Sequence, residues 1–129
     1  INLMQDIKKE YQLTYLFISH DLRIIKHFCD RVMVMYLGNI VELGTKEAIY
    51  GNQRHPYTKA LLSAVSNVKG HGSKNRIILQ GDIPSPVNPP SGCPFHTRCS
   101  YCMDICREKK PELKKMADGT LVACHLDME

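Results

Sequence analysis

The pattern of apolar and polar positions predicts alternating helix and strand in the first part of the chain. Residues 1–11 place their apolar side chains on one helical face. In the segment Thr14–Ile18 every residue but Leu16 is aromatic or β-branched, and such a nearly continuous apolar run predicts a strand buried on both faces. The run stops at a Ser-His-Asp sequence (19–21), after which residues 22–28 form the next predicted helix.

The next apolar segments predict a β-hairpin followed by two helices. Arg31–Leu37 and Ile40–Leu43 flank a Gly-Asn pair, which is a strong signal for a two-residue turn between antiparallel strands. Thr45 can cap a short helix, and Pro56 can occupy the first turn of another that runs to about residue 66. This order of elements is α/β in type, but it has too few strands for a complete doubly wound sheet.

Composition changes in the second half of the chain. Residues 68–75 are rich in glycine, lysine, histidine and serine, which predicts a linker or an exposed loop, and a short strand is expected at 77–79. Five prolines within residues 81–94 exclude helix and central strand there. We therefore predict two parts, residues 1–66 and residues 67–129, the second of them small and irregular.

His20 is placed at the carboxyl end of the predicted strand at 14–18. Ligands of open α/β sheets bind outside that edge, and a histidine there can donate a hydrogen bond to a phosphate oxygen and help to place an attacking water. A structural role is the alternative. The adjacent Ser19 and Asp21 do not make a protease triad, because neighbouring residues at a strand end point in different directions.

Five of the six cysteines lie in the last third of the chain. They are Cys93, Cys99, Cys102, Cys106 and Cys124. In a secreted chain this clustering would indicate a disulfide framework. We expect no export signal here, so the clustering favours metal ligation over disulfides or free thiols. Structural zinc and a 4Fe–4S cluster both use four such ligands, and the spacing does not decide between them. The gap before the last cysteine leaves room for a short helix through Leu113 and a return strand near Leu121–Ala123.

The chain carries a net charge of +4, with basic residues in excess between Lys69 and Lys115. Such a stretch can attract nucleic acid, so a stand-alone metal-binding module that contacts nucleic acid or a partner protein is an alternative function. Phe95 and Tyr101 are the only aromatic residues after Tyr57. Stacking platforms for nucleic acid need more than this, so we expect no nucleic-acid partner.

Four segments, in order, resemble one family of proteins. The sequence TYLFISHDL at 14–22 resembles the switch-histidine segment of ABC ATPases, and CDRVMVMYLGNIVELG at 29–44 resembles the strand pair that follows it. HPYTKALL at 55–62 and GDIPSP at 81–86 are similar to segments of the oligopeptide/dipeptide/nickel importer subgroup. The chain therefore resembles the C-terminal part of an ABC-transporter ATP-binding protein of that family.

The resemblance implies a fold and a set of site residues. Residues 1–66 would be the C-terminal remnant of a P-loop NTPase sheet, and residues 67–129 an importer-type extension with a small irregular cysteine-rich metal-binding tail. His20 would be catalytic and would contact the γ-phosphate of ATP, which is bound with Mg²⁺. A 4Fe–4S cluster, with zinc as the alternative, would be held by four residues of the tail. These ligands would be Cys93, Cys99, Cys106 and Cys124, with Cys102 left over.

The resemblance also implies a function and partners. The intact protein would hydrolyse ATP to drive peptide import, at the cytoplasmic face of the plasma membrane, with integral-membrane permease subunits and a second ATPase subunit. The chain contains no G-x-x-x-x-G-K-[ST] phosphate loop, so by itself it should be inactive. Uncovered apolar faces and unpaired strand edges should also make it self-associate.

Overall fold

The computed structural model of the chain describes residues 1–65 and 76–126. The helices in these ranges are α1 (Asn2–Glu10), α2 (Leu22–Phe28), α3 (Lys46–Gly51), α4 (Pro56–Val65) and α5 (Asp104–Glu108). The strands are β1 (Arg31–Tyr36), β2 (Asn39–Thr45), β3 (Lys114–Lys115) and β4 (Leu121–Val122), and a 3-10 turn covers His96–Arg98. No helix in the described ranges is long and apolar enough to span a membrane. The α/β class is confirmed.

The four strands form one antiparallel sheet in the order β1-β2-β4-β3. Glu42 of β2 lies opposite Val34 of β1 on one side and Val122 of β4 on the other. Strands from both predicted parts, residues 1–66 and 67–129, therefore share a sheet. A remnant of a P-loop NTPase sheet would be expected to contain parallel strands, whereas every strand pair in the described residues is antiparallel.

The predicted hairpin is confirmed, with its turn one residue earlier than expected. The turn residues are Leu37 and Gly38, with φ angles of 46° and 74°. Positive φ at both central positions is the backbone twist that two-residue hairpins require. The pairing shifts register after Val34, so that Val41 is the extra residue on β2. The Asn39 side chain then donates a hydrogen bond of 2.8 Å to the Leu37 carbonyl oxygen and steadies the turn.

The prediction of a strand at residues 14–18 is wrong. The segment forms no helix or strand, although its side chains alternate: the two aromatic rings pack on Phe28 at 5.6 and 5.3 Å between centroids. Leu16 and Ile18 point the other way and are 91% and 88% exposed. A strand needs a hydrogen-bonded neighbour, and no strand among residues 1–65 and 76–126 lies beside this one.

The tail differs from expectation in two places. Residues 77–79 form no strand, and the helix of the tail is α5, which ends well before the predicted Leu113. Pro111 follows α5 and lacks the amide hydrogen that a continuing helix would need. The predicted return strand near Leu121–Ala123 is confirmed as β4.

The core lies between one face of the hairpin, helices α3 and α4, and the loop that carries the cysteines. On β1 the side chains of Val32, Val34 and Tyr36 are buried, while the intervening residues are exposed. Phe95 from the cysteine loop is 1% exposed and packs edge-on against Tyr36, with ring centroids 5.2 Å apart. The loop is therefore part of the main core.

The start of α4 is held by a buried carboxylate. Glu42 accepts hydrogen bonds from the backbone N–H groups of Arg54 at 2.7 Å and of His55 at 3.1 Å. His55 is also buried, and its Nδ1 accepts from the Tyr57 N–H at 3.1 Å. These bonds satisfy amides that the first turn of a helix leaves without intrahelical partners. Burial lowers the pKa of His55 to about 4.

The buried His55 predicts a loss of stability in acid. The unfolded chain takes up a proton near pH 6.5, whereas folded His55 takes it up only near pH 4. The contribution of neutral His55 is therefore complete above pH 6.5 and decreases as the pH falls towards 4, by a total of about 3 kcal/mol at most. Urea unfolding at a series of pH values measures the free energy of unfolding across this window.

His55→Asn is the informative variant, because an amide oxygen can accept from the Tyr57 N–H but does not titrate. Its free energy of unfolding should change less between these pH values than that of the wild type. His27 is exposed, so His27→Asn should keep the wild-type pH dependence. Equal pH dependence in the His55→Asn chain and the wild type would contradict the assignment.

Candidate functional site

The Ser-His-Asp turn presents His20 to solvent from a fixed backbone. The hydroxyl oxygen of Ser19 accepts a hydrogen bond from the Asp21 N–H at 3.0 Å. The Asp21 side chain then accepts from the Arg23 N–H at 2.9 Å and caps α2. His20 is exposed between these two supports. Within the described residues no hydrogen bond, ion pair or ring contact joins His20 to the cysteine tail.

Cys93 and Cys106 are joined by a backbone hydrogen bond. The N–H of Cys93 donates to the carbonyl oxygen of Cys106 at 2.8 Å. This approach requires the preceding residue to be Gly92, whose φ is +68°, and an added Cβ would lie 2.4 Å from the Cys106 carbonyl oxygen. The Ser91 hydroxyl adds a bond of 2.9 Å to the Arg107 carbonyl oxygen. The start of the loop and α5 are thereby held together.

Successive tight turns wind the chain from Cys93 to Cys106. The N–H of His96 donates to the Cys93 carbonyl oxygen at 3.0 Å, the N–H of Cys102 to that of Cys99 at 3.3 Å, and the N–H of Cys106 to that of Met103 at 3.0 Å. Phe95, between the first two cysteines, anchors this winding in the core. The short cysteine spacings therefore fold into one compact loop.

Strand β4 brings the last cysteine to this loop. The N–H of Ala123 donates to the carbonyl oxygen of Val41 at 2.9 Å, which extends the β2–β4 pairing by one residue. His125 Nε2 then lies 2.7 Å from the carbonyl oxygen of Lys109, just after α5. Cys124 is fixed between these two bonds, so the sheet sets its position.

The cysteine thiols are close enough to influence one another. Burial raises the pKa of the Cys93 thiol to about 11, and the thiols of Cys106, Cys124 and Cys99 add to the rise. Burial likewise raises the pKa of Cys99, with smaller increases from neighbouring cysteines that include Cys102, and the pKa of Cys124, with a smaller increase from Cys106. The predicted ligands are therefore spatial neighbours.

The neighbouring thiols do not form a metal coordination site in the described residues. In the part of the chain that the structure describes, no group of three or more His, Cys, Asp or Glu side chains is arranged to hold a metal ion. The cysteines are free, with no disulfide among them. The predicted metal-binding tail is thus not supported by the side-chain arrangement. Ligation would require the thiols to lose their protons and turn towards a common centre.

Several residues that support this site were not identified from the sequence. Glu42 and His55 hold α4 against the cysteine loop, and Gly92 permits the close approach of its two ends. One signal was present: Glu42 is an acid in the middle of an apolar strand, which indicates either an exposed position or a buried capping role. The role of Gly92 depends on a contact between distant segments, for which the sequence carries no local signal.

Fold and site together define a class of protein: a short α/β unit in which an antiparallel hairpin carries a cysteine-rich tail. The family described as the C-terminal region of oligopeptide/dipeptide transporters matches residues 41–106, just over half of the chain. The chain belongs to this family.

Relatives match over nearly the whole chain. The oligopeptide transport ATP-binding protein AppF of Bacillus subtilis is 54% identical over 128 residues, which is 98% of this chain and 39% of that protein. The dipeptide transport ATP-binding protein DppF of Haemophilus influenzae is 51% identical, with the same coverage. DppF of Escherichia coli is 51% identical over 96% of this chain and 37% of its own length. The chain spans about two-fifths of the length of these relatives.

The close approach at Gly92 predicts a cost for any side chain there. Gly92→Ala meets backbone atoms of Cys106 and Arg107, which cannot move aside as a flexible side chain could. Gly119→Ala is the matched control, because Gly119 also has a positive φ, of +83°, but nothing lies within 4 Å of its added Cβ. Both variants bear the strain of left-handed backbone.

Gly92→Ala should be less stable than Gly119→Ala by about 1–3 kcal/mol in urea unfolding, the usual cost of overpacking. Its Cys93 and Cys106 thiols should also react faster with an alkylating reagent, since the buried end of the loop would open. Equal stability of the two variants would show that the close approach is not needed.

Proposed function

We propose that the chain is part of the ATP-hydrolysing, energy-coupling subunit of a peptide ABC importer. The observation that carries the proposal is the identity of 54% with an oligopeptide transport ATP-binding protein over 98% of the chain. This match includes the cysteine tail. It favours an importer subunit over a stand-alone metal-binding or nucleic-acid-binding module, which would not need the segment around His20.

The intact protein would bind ATP with Mg²⁺, and His20 would contact the γ-phosphate. Two observations support this role: His20 is exposed, and hydrogen bonds hold the turn that carries it. A hydrogen-bond donor stabilises a transition state best when it already points to the atom on which negative charge develops. A neutral imidazole could donate to a phosphate oxygen and help to orient the attacking water. The chain alone, without a phosphate loop, is expected neither to bind nor to hydrolyse ATP.

His20→Ala in the full-length protein tests this role. Turnover of ATP should fall by about 10²-fold or more, the usual range for removing one positioned donor, while ATP binding stays near normal. His27→Ala is the matched control, because His27 is also exposed and is seven residues away in sequence. Near-normal turnover in a well-folded His20→Ala protein would refute the catalytic role, and a parallel loss of thermal stability would indicate a structural one.

We also propose that Cys93, Cys99, Cys106 and Cys124 bind one metal centre, a 4Fe–4S cluster or alternatively zinc. The support is their mutual proximity and the chemistry of thiolates, which are the usual ligands of both groups. Metal binding would replace the protons of these thiols. A bound centre would stabilise the tail, which is short and has a small apolar core of its own.

Single Cys→Ser replacements test the ligand set. After anaerobic expression and purification, the wild-type chain should contain iron and acid-labile sulfide, or zinc if that alternative holds. Serine at any of the four positions should lower the metal content sharply and reduce thermal stability. Cys102→Ser and Cys29→Ser are the controls and should retain the metal. Metal loss in the Cys102→Ser chain, with retention in the Cys93→Ser chain, would show that the ligand set is wrong.

The remaining proposals concern partners and location. The intact subunit would pair with a second ATPase subunit and dock on integral-membrane permease subunits at the cytoplasmic face of the plasma membrane. Self-association of the isolated chain is a further expectation. Leu16 and Ile18 are exposed on an extended segment without a strand partner in the described residues, and a second copy could cover them.

A further inference from the structure

Cys102 is the cysteine of the tail that the proposed ligand set does not use. It forms a Cys-x-x-Cys pair with Cys99, and the residues between them are Ser100 and Tyr101. The N–H of Cys102 donates to the carbonyl oxygen of Cys99 at 3.3 Å, which closes a four-residue turn. Such a turn keeps its end Cα atoms within about 7 Å, and disulfides need Cα atoms about 4.4–6.8 Å apart.

The two thiols of this pair are also accessible. Cys99 and Cys102 are partly exposed, whereas Cys93 and Cys106 are buried in the core. The side chain of Tyr101 is mostly exposed, so the turn itself faces solvent. The Cys102 thiol makes only a weak contact of 3.6 Å with the Met103 carbonyl oxygen, which a small rotation would break. A soluble oxidant would therefore meet this pair before it reaches the buried thiols.

We propose that Cys99 and Cys102 are a redox pair that forms a disulfide with a low-molecular-weight disulfide as oxidant. The thiolate of Cys102 attacks one sulfur of the oxidant and forms a mixed disulfide, and the first small thiolate leaves. The thiolate of Cys99 then attacks the Cys102 sulfur, which closes the intramolecular bond and releases the second small thiolate. The two protons lost by the cysteines end on the two small thiols, so one disulfide is reduced as another forms.

The consequence for the tail follows from the double use of Cys99. If the proposed metal centre is correct, Cys99 supplies one of its four ligands, and a sulfur in a disulfide no longer offers a thiolate. Oxidation of the pair and full metal ligation therefore exclude each other. The disulfide itself does not depend on the metal centre, and only this coupling rests on the proposed function.

The disulfide can be tested in the reduced, metal-free chain. The chain is equilibrated with mixtures of reduced and oxidised glutathione, its free thiols are blocked with one alkylating label, and its disulfides are then reduced and given a second label. Fragment-ion mass spectrometry assigns the label at each cysteine. Cys99 and Cys102 should acquire the second label together and at a less oxidising poise than Cys93 or Cys106.

A Cys102→Ser variant should fail to form the intramolecular bond and should instead carry glutathione on Cys99. Cys29→Ser is the control and should match the wild type. Cys124 is the other partly exposed thiol of the tail. Preferential pairing of Cys99 with Cys124, or a Cys102 that stays reduced while other cysteines oxidise, would overturn the proposal.

The coupling to metal is tested with zinc. The reduced chain is loaded with zinc ion, oxidised glutathione is added, and released zinc is followed with a chromogenic chelator. The wild-type and Cys29→Ser chains should release zinc severalfold faster than Cys102→Ser. Equal release by the wild-type and Cys102→Ser chains would overturn the coupling. A reduced chain that retains neither zinc nor a cluster would overturn the metal centre and the coupling together, while the label mapping still decides the disulfide.

Discussion

The buried carboxylate of Glu42 is the constraint on which the hairpin, helix α4 and the cysteine tail depend. Its backbone belongs to the central strand β2, which pairs with the hairpin strand β1 and with β4 from the tail. Its side chain accepts hydrogen bonds from the backbone amides of Arg54 and His55, the two residues just before α4. Removing a carboxylate from water is costly unless hydrogen bonds replace the lost hydration, and these two amides, together with the positive end of the α4 dipole, supply that replacement.

The same arrangement explains why the cysteine loop can be small. Phe95 fills the space between β1 and α4, where the rings of Tyr36, Tyr57 and His55 surround it with centroids 5.2 to 5.7 Å from its own. An aromatic cluster of this size contributes both burial and edge-to-face contacts. The loop is therefore stabilised mainly by packing of Phe95 on the first half of the chain, and it needs few further apolar residues of its own.

Local signals were enough to predict much of the fold. The Gly-Asn pair, the Thr45 cap and Pro56 act within a few residues, and the hairpin, α3 and α4 are present, with the hairpin turn shifted by one residue. The strand at 14–18 was predicted from an equally clear pattern, but pairing depends on a neighbour that no local sequence specifies. In the site, the resemblance grouped Cys93, Cys99, Cys106 and Cys124 as ligands, which stays a prediction, and the structure places these thiols near one another. The resemblance could not specify how the cysteine side chains are oriented, because their orientation depends on contacts between distant segments, such as that of Gly92 with Cys106.

The position of β4 in the sheet has a consequence for cooperativity. Because β4 lies between β2 and β3, the tail cannot leave the sheet without breaking hydrogen bonds of the hairpin strand. Arg54 adds a second tie, an ion pair of 2.6 Å with Asp118 beside the β3–β4 turn. Local opening of the tail and of the hairpin should therefore share one free energy, and their amide protons should exchange with solvent together. Events at the cysteines would then be transmitted to the core of the chain by shared strand pairing, without any hinge.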